Sequence, residues 1–334
     1  MLYIRTDANE QIATGHVMRC LSIAGEIREN GSDVTFVMAD DNMKQFIEQS
    51  GFKTMILGTS WNNMDEEVVK LKAFLEKDSS TNQEKDTVYR DINFNKIAKI
   101  KNQPVVLVDS YSITQSYFDE LSKFAYVVYL DDFGNYYSNI DCIINYSVYA
   151  KDLEYDKKYK GTKTKLYLGM EYVPLRKPFR NIKRKTIYNK IENVLFLTGG
   201  ADTYHIALNF IKEIIAFQDK RIKKLSYHIV CGRYNVDIDE IKQLSEEYDN
   251  IILYPYVEHI EELMMKADLA ISAGGSTLYE LYACGTPTIT YSMADNQLSN
   301  VKKFDELNIM NYCGDVRDNS FNVQLFITEI VSRL

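Results

Sequence analysis

Residues 3–28 read YIRTDANEQIATGHVMRCLSIAGEIR, and the order of residue types in this stretch predicts a strand, a turn and a helix. Residues 3–6 favour a short strand, whereas residues 7–15 are mostly small or polar and favour a turn. From His16 onwards, apolar residues recur at the spacing of a helix. The stretch therefore predicts the first strand–turn–helix unit of an α/β fold, and we expect the chemistry of the protein to take place at its turn.

The turn before this predicted helix has the chemistry of an anion-binding site. Thr14 can cap the helix, and Gly15 lets the backbone turn into it. Free backbone N–H groups and the positive end of the helix dipole favour an oxyanion or a phosphate. The same positive end disfavours an imidazolium, so His16 is predicted to stay neutral and able to accept a proton.

Length, charge and cysteine usage narrow the class of protein. A chain of 334 residues, 46% hydrophobic and 26% charged, is typical of two folded domains. The net charge of −8 argues against nucleic acid as a partner. We expect a cytoplasmic protein without integral membrane contact. The five cysteines are scattered, the chain shows no signal-peptide pattern, and no run approaches the ~20 apolar residues of a membrane span.

Strand and helix patterns alternate along both halves of the chain. Strand patterns occur at residues 3–6, 33–39, 53–57, 105–109, 126–130, 142–145, 194–197, 225–230, 251–254, 269–272 and 288–291. Helical patterns begin at residue 16 and recur at 64–76, 114–124, 206–217, 238–248, 260–266 and 278–284. This alternation predicts α/β architecture with parallel sheets in two Rossmann-like domains, residues 1–180 and 190–334, facing a central crevice that would hold a ligand.

The boundary between the two domains is expected in a basic segment. Lys and Arg occupy 12 of the 34 positions at residues 157–190, which Pro174 and Pro178 interrupt. This composition favours a solvated linker. The alternative is a basic face for an anionic substrate or a membrane surface.

A second glycine-rich turn lies between a predicted strand and a predicted helix. The backbone N–H groups and hydroxyls of residues 274–277, GGST, can hold a diphosphate at a helix N-terminus. Glu280 lies about one helical turn beyond, where its carboxylate can accept from the hydroxyls of a ribose. The alternative is a capping box, since Thr277 and Glu280 have the required spacing. Residues 295–297, DNQ, favour the ligand site because a polar loop after the next strand would face the same crevice.

Several of these motifs, in this order, resemble those of the PseG-type UDP-sugar hydrolases of pseudaminic acid biosynthesis and the SpsG-type spore-coat polysaccharide proteins. The motifs are Arg5-x-Asp7, GHVMRC at 15–20, VDSY at 108–111, LDD at 130–132, Gly169-x-x-Tyr172-x-x-Leu175-Arg176 and GGAD at 199–202. The C-terminal half also resembles the MurG-type glycosyltransferases, through GGSTLYELYACGTPTI at 274–289 and DNQ at 295–297.

The resemblance implies a GT-B architecture in which the C-terminal domain holds most of the UDP. It implies metal-free hydrolysis, with inversion, of a UDP-linked 2,4-diacetamido-2,4,6-trideoxy hexose. It places the catalytic groups at His16 and Asn296. The substrate- or nucleotide-binding residues expected are Arg5, Asp7, Gly15, Arg19, Gly199, Gly200, Gly274, Gly275, Ser276, Thr277, Glu280 and Gln297. No cofactor and no metal ligand are expected. The partners that the resemblance implies are the UDP-linked aminosugar and the UDP product.

The chemistry read from the residues agrees with this expectation. UDP is a good leaving group, so one base that activates water is sufficient, and helix-end N–H groups can meet the developing charge without Mg²⁺. The pair Asp131-Asp132 is interpreted as binding backbone or sugar hydroxyls rather than a metal, and Arg19 has the alternative of a structural ion pair. The family commonly has Gly at Ala13 and His at Ser110; both changes bear on the identity of the sugar.

Two other functions fit the same motifs. In a glycosyltransferase, His16 would deprotonate an acceptor hydroxyl instead of water, and the basic segment could lie beside the acceptor groove. A non-catalytic protein that binds nucleotide sugars would keep its role when His16 is replaced.

Overall fold

The computed structural model describes residues 1–9, 11–12, 14–81, 103–185, 190–199, 202–232 and 235–334. The chain forms two compact units, Met1–Lys177 and Pro178–Leu334. The sequence-based boundary placed the end of the first domain at residue 180.

The described part of the first unit contains a parallel sheet of seven strands. The strands are β1 Leu2–Thr6, β2 Val34–Met38, β3 Lys53–Ile56, β4 Val105–Asp109, β5 Tyr126–Leu130, β6 Cys142–Asn145 and β7 Lys165–Leu168. They lie side by side in the order β3-β2-β1-β4-β5-β6-β7. Every residue of β1, β2 and β4 is buried because both faces of the sheet are covered, and most residues of these strands are accordingly apolar.

Helices connect these strands and cover the sheet. They are α1 Gly15–Glu29, α2 Lys44–Gln49, α3 Val68–Thr81, α4 Gln115–Leu121 and α5 Tyr155–Lys158, with 3-10 turns at Met64–Glu67, Ala150–Leu153, Met170–Tyr172 and Lys177–Phe179. In α1, the buried residues Val17, Cys20 and Ala24 recur every three or four positions, as the helical pattern predicts, and they pack into the core on one face of the sheet.

The second unit repeats this design with a parallel sheet of six strands in its described residues. The strands are β8 Asn193–Leu197, β9 Ser226–Val230, β10 Ile251–Tyr254, β11 Leu269–Ala273, β12 Thr288–Ser292 and β13 Asn311–Asp315, in the order β10-β9-β8-β11-β12-β13. The helices are α6 Ile206–Ala216, α7 Ile238–Glu247, α8 Ile260–Lys266, α9 Thr277–Cys284, α10 Asp295–Glu306 and α11 Gln324–Val331, with a 3-10 turn at Ile222–Lys224.

Both sheets reverse their strand order at one point. In the first unit, β1 lies between β2 and β4, so the connections run to opposite sides from the gap between β1 and β4. In the second unit, the corresponding gap lies between β8 and β11. Open α/β sheets bind ligands at the carboxyl ends of the strands beside such a gap. The turn that ends at Gly15 and the turn at 274–277 each follow a strand that borders one of these gaps.

The structure corrects three sequence-based assignments. Residues 157–190 were expected to be a linker, but Lys165–Leu168 form β7, which pairs with β6 at the edge of the first sheet. A lysine on an edge strand discourages pairing with other chains, so part of the basic composition belongs to the sheet. Residues 295–297 form the first turn of α10 rather than a loop. The strand β13 and the helix α11 were not predicted at all.

The third correction concerns the start of α1. The helix begins at Gly15 with Thr14 at the predicted N-cap position, but the Thr14 side chain makes no capping hydrogen bond to the described residues. Ala13 lies outside the described residues. Across the described segments, no helix is long enough and apolar enough to cross a membrane.

Candidate active site

A cluster of charged side chains lies at the carboxyl ends of β1, β4 and β5. His16 and Arg19 come from the first two turns of α1, Asp109 is the last residue of β4, and Asp132 follows β5. The His16 Nδ1 atom is 2.6 Å from Asp109 Oδ1. Arg19 Nε donates to Asp109 Oδ2 at 2.7 Å. The chain thus brings a base, a carboxylate and a guanidinium together beside the gap between β1 and β4.

Arg19 joins the two carboxylates of this cluster. Its Nη1 atom lies 2.9 Å from both oxygens of Asp132 and 3.1 Å from the hydroxyl of Tyr146. Only 13% of the Arg19 side chain is exposed. The guanidinium therefore has ion-pair partners on two sides, which is the structural alternative that the sequence left open for this residue.

Electrostatics keep Asp109 ionised. Burial alone would raise the pKa of its carboxyl, but the charge of Arg19 and the hydrogen bonds from Arg19 and His16 outweigh burial and hold this pKa well below its ordinary value. Burial and the nearby carboxylate raise the pKa of the Cys20 thiol, which donates to Asp109 Oδ2 at 3.3 Å. An ionised Asp109 can only accept, so it accepts the Nδ1–H of His16.

This geometry defines which nitrogen of His16 can act as a base. With Nδ1–H donated to Asp109, the Nε2 atom is left to accept a proton from water or from a hydroxyl group. The carboxylate also stabilises the imidazolium that forms when Nε2 is protonated. Only 6% of His16 is exposed, so the ring is held within the site rather than free in solvent.

Arg5 and Asp7 were predicted to contact the ligand. In the structure they instead contact each other and other buried groups of the first unit. Arg5 is fully buried, and its Nη2 atom donates to Glu67 Oε2 at 2.7 Å, while Nη1 pairs with Asp7. Asp7 in turn accepts from the backbone N–H of Ala39 at 2.8 Å. Glu67 also accepts from the Tyr117 hydroxyl at 3.1 Å. These contacts fix the backbone after β1, so they position the turn before α1.

The glycine-rich turn of the second unit has space for a ligand. Gly274 packs against α10, since a Cβ atom there would lie 2.5 Å from Val301 Cγ1 and 3.0 Å from Gln297 Cβ. A Cβ atom at Gly275 would meet no described heavy atom within 4 Å. One glycine therefore permits close packing inside the unit, and the next leaves its backbone open to a ligand.

The start of α9 does not form the alternative capping box. Thr277 is the first helical residue, with Ser276 as the N-cap, whereas a capping box would require Thr277 at the N-cap position. Among the described residues, the Ser276 side chain makes no capping bond. Glu280 is 8% exposed and lies one turn into the helix. The backbone N–H groups of Leu278 and Tyr279 donate to the carbonyls of Gly275 and Ser276 at 3.2 and 3.1 Å. Within the described residues, the N–H groups of Ser276 and Thr277 make no such backbone bond, so these two can meet a diphosphate.

The other glycine-rich turn of this unit is organised differently. Asp202, which follows Gly199 after β8, accepts from the backbone N–H of Ile206 at 3.0 Å and of Ala207 at 2.9 Å. The carboxylate therefore occupies the N-terminus of α6, where an anionic ligand would otherwise bind. Gly199 is exposed with a φ of +75°, and Gly200 lies outside the described residues.

Asn296 and Gln297 lie on the first turn of α10. Asn296 is exposed. The side-chain oxygen of Gln297 accepts from the backbone N–H of Met293 at 3.0 Å, so it holds the chain between β12 and α10. Asp295 pairs with Arg317 at 2.8 Å.

Sequence reasoning missed the role of Asp109, Asp132 and Tyr111. Each belongs to a motif named above, but Asp109 and Tyr111 were not assigned to the site, and Asp132 was interpreted only as one of a pair that binds backbone or sugar hydroxyls. The available signal was a carboxylate directly after an apolar strand, because such a residue reaches the ligand-binding edge of a parallel sheet.

In the segments that the structure describes, no group of three or more His, Cys, Asp or Glu side chains is arranged to hold a metal ion.

Comparison with known proteins defines the class of fold. The chain superposes on the crystal structure of Acinetobacter baumannii MurG with a TM-score of 0.66, at 10% identity, over 99% of this chain and 91% of that one. Together with the two parallel Rossmann-like sheets, this likeness identifies the GT-B glycosyltransferase fold and confirms the predicted fold class. Residues 194–327 match the glycosyltransferase family 28 C-terminal domain, which supports the predicted similarity to MurG.

Three relatives extend the comparison. An uncharacterized protein of Methanocaldococcus jannaschii is 25% identical over 301 residues, 86% of this chain and 54% of that protein. The Bacillus subtilis spore coat polysaccharide biosynthesis protein SpsG is 25% identical over 165 residues, 49% of this chain and 47% of SpsG. A Helicobacter pylori protein, "Pseudaminic acid cytidylyltransferase and UDP-2,4-diacetamido-2,4,6-trideoxy-beta-L-altropyranose hydrolase", is 23% identical over 298 residues, 88% of this chain and 45% of that protein. The chain thus spans about half the length of each of these relatives.

Proposed function

We propose that the protein is a metal-independent, inverting hydrolase of a UDP-linked 2,4-diacetamido-2,4,6-trideoxy hexose. It would release UDP and the free sugar in the biosynthesis of a pseudaminic-type acid or a surface polysaccharide. The observation that carries the proposal is the pairing of His16 Nδ1 with Asp109 at 2.6 Å, at the ligand-binding edge of the first sheet. The similarity to the H. pylori hydrolase, which extends over 88% of this chain, supports the same reaction.

In the proposed reaction, His16 Nε2 takes a proton from water as the water oxygen attacks the anomeric carbon. The bond between that carbon and the UDP oxygen breaks, and UDP leaves with the bonding electron pair. Attack from the face opposite UDP inverts the anomeric configuration. Asp109 holds the imidazole and stabilises its protonated form, so one positioned base is sufficient.

The second unit is proposed to bind the nucleotide. Backbone N–H groups at Ser276 and Thr277 would receive the diphosphate, and Glu280 would accept from the ribose hydroxyls. The positive end of α9 would stabilise the charge that develops on UDP as it leaves. Asn296 is proposed to orient the water or the sugar. The five free cysteines support a reducing, cytoplasmic location for this reaction.

The proposal is tested by measuring UDP release from UDP-activated 6-deoxy aminosugars, with EDTA present and without an acceptor. We expect release to continue in EDTA, and NMR of the first-formed sugar to show the inverted anomer. Tight binding of UDP without release would overturn hydrolysis and favour the second candidate.

The second candidate is a glycosyltransferase that uses a UDP-aminosugar donor. The match of residues 194–327 to the glycosyltransferase family 28 C-terminal domain favours it. The same base would deprotonate an acceptor hydroxyl, so UDP release would depend on the addition of an acceptor. The assay with and without candidate acceptors separates the two reactions.

Two neighbouring glycines provide a matched test of the nucleotide site. We expect Gly275→Ala to fold normally but to weaken UDP binding by about tenfold or more, because the new methyl group enters the space that a diphosphate would occupy. We expect Gly274→Ala to lose about 1–3 kcal/mol of unfolding free energy, because its Cβ would overlap Val301. Calorimetric titration with UDP and denaturant unfolding measure both effects. Unchanged UDP affinity in the Gly275 variant would place the nucleotide elsewhere.

A further inference from the structure

Three aromatic rings form a row that begins at His16. The rings of His16 and Tyr111 meet edge to face, with centroids 4.4 Å apart and an interplanar angle of 78°. The rings of Tyr111 and Phe133 are 4.7 Å apart at 59°. His16 is buried, whereas 48% of Tyr111 and 51% of Phe133 is exposed. The aromatic row, His16–Tyr111–Phe133, therefore runs from the candidate base to the surface of the first unit.

The charged cluster holds the middle ring of the row. The Tyr111 hydroxyl donates to Asp132 Oδ2 at 2.8 Å, and Asp132 is itself paired with Arg19. Burial, followed by the charge of Asp132, raises the pKa of Tyr111, so the hydroxyl stays a donor. Tyr111 is thus held by Asp132 at its hydroxyl and by the rings of His16 and Phe133 at its sides.

The neighbouring aspartate holds the outer ring. Asp131 is 1% exposed, and its carboxylate accepts from the backbone N–H groups of Phe133 at 2.9 Å and Gly134 at 3.1 Å. The Tyr155 hydroxyl donates to the same carboxylate at 2.6 Å. Gly134 has a φ of +72° and lies so close to Leu153 that a Cβ atom would be 2.8 Å from Leu153 Cβ. The backbone of Phe133 is therefore anchored, and its exposed ring is presented in a defined position.

An anchored and exposed aromatic surface next to a candidate base is suited to binding the apolar face of a ligand. We propose that Tyr111 and Phe133 form a platform for the sugar of the substrate, and that Phe133 selects a 6-deoxy sugar. This inference rests on the proposed function, because it takes the sugar of a UDP-sugar to lie beside His16. A protein partner on the same surface would leave the binding of small UDP-sugars independent of Phe133.

The selectivity follows from the chemistry of the ring. A C6 methyl group placed on Phe133 loses contact with water and gains contact with carbon. A C6 hydroxyl group in the same place loses its hydrogen bonds to water, and the phenyl ring offers no equivalent acceptor or donor. Apolar sites discriminate against one added hydroxyl group by roughly 10–100-fold. We therefore expect a preference of this size for the 6-deoxy sugar.

The test compares UDP-N-acetylglucosamine with its 6-deoxy counterpart, two probes that differ by one oxygen atom. For the wild-type protein and for Phe133→Ala and Phe133→Leu, kcat/KM for UDP release and the dissociation constant are measured with each probe. We expect the wild-type preference for the 6-deoxy probe to fall to within about threefold of unity in Phe133→Ala and to be partly kept in Phe133→Leu. Affinity for UDP alone should not change. Phe46→Ala is the matched control, since Phe46 is a 43% exposed phenylalanine of the same unit on α2.

The possible outcomes separate this inference from the proposed hydrolysis. Equal use of both probes by the wild-type protein, or a preference that survives in Phe133→Ala, would overturn the platform while leaving hydrolysis intact. Binding without UDP release would overturn hydrolysis, and the ratio of the two dissociation constants would still decide the role of Phe133. A thermal unfolding midpoint equal to that of the wild type shows that an altered ratio comes from the binding surface.

Discussion

Replacement of His16 by alanine is expected to lower kcat by about 10²–10⁴-fold and to leave UDP affinity unchanged. The substitution removes the Nε2 atom that accepts the proton of water in the proposed reaction, while Asp109 and Arg19 remain paired. UDP affinity should survive because the residues proposed to bind UDP belong to the second unit. Initial rates of UDP release and calorimetric titration with UDP measure the two quantities separately.

Two further variants make this experiment specific. His16→Asn keeps a polar side chain beside Asp109 and Tyr111 but lacks a nitrogen that can act as a base, so it should lose kcat as His16→Ala does. His259→Ala removes an exposed histidine at the start of α8 and should retain activity. Equal losses of UDP affinity and of kcat in the His16 variants would contradict the role of a base.

The sequence could predict the fold because apolar strand patterns are local. The all-buried strands β1, β2 and β4 are short, mostly apolar runs of residues, and each was located to within a residue or two. The strand β7 was missed because its exposed edge carries Lys165 within a basic segment, which resembles a linker in composition. The strand β13, NYCGD, was missed because it has few apolar residues and its Gly314 interrupts the pattern.

The candidate site was predictable only in part, because its contacts join distant positions of the chain. His16 and Asp109 are separated by 93 residues, and Arg19 and Asp132 by 113. The spacing of residues along a chain cannot show which carboxylate faces which cation. The order of strands in the sheet decides it, since β4 lies next to β1 despite the intervening β2 and β3.

The two glycine-rich turns of the second unit show a further limit. Residues 199–202 and 274–277 have similar composition and the same place between a strand and a helix. In the first turn, however, the Asp202 side chain itself binds the helix N-terminus, whereas in the second the side chain of the N-cap residue, Ser276, makes no capping bond to the described residues. A single side chain therefore changes the chemistry of a turn that its glycines alone do not distinguish.

Replacement of Asp109 by asparagine is expected to lower kcat by about 10²–10⁴-fold, although His16 itself is retained. Arg19 donates to both oxygens of Asp109, and Oδ2 also accepts from Cys20, whereas Oδ1 is the oxygen that meets His16 Nδ1. The amide oxygen should therefore take the Oδ2 position, which faces two donors, and the amide NH₂ group the Oδ1 position beside His16. The NH₂ group would donate to Nδ1, which moves the imidazole proton to Nε2. Nε2 would then be unable to accept a proton from water, and no carboxylate would stabilise the imidazolium. Asp109 acts here as a positioning residue, and its loss should change kcat far more than UDP affinity.

The pH dependence of this variant separates positioning from a purely structural role. The pKa of Asp109 is depressed in the folded protein. The ionised carboxylate therefore stabilises the fold in full above the unfolded-state pKa of about 3.9, and this stabilisation is lost as the pH falls below that pKa. The difference in unfolding free energy between the wild type and Asp109→Asn should therefore be constant above about pH 5 and should shrink on acidification. The loss of kcat, in contrast, should persist across the neutral range in which both proteins remain folded. Asp65→Asn, an exposed carboxylate of the same unit, is the control. A loss of kcat that matches the unfolded fraction of the protein would contradict the positioning role and leave Asp109 a purely structural one. A loss of kcat in fully folded protein is the result expected if Asp109 sets the position of the proton on His16.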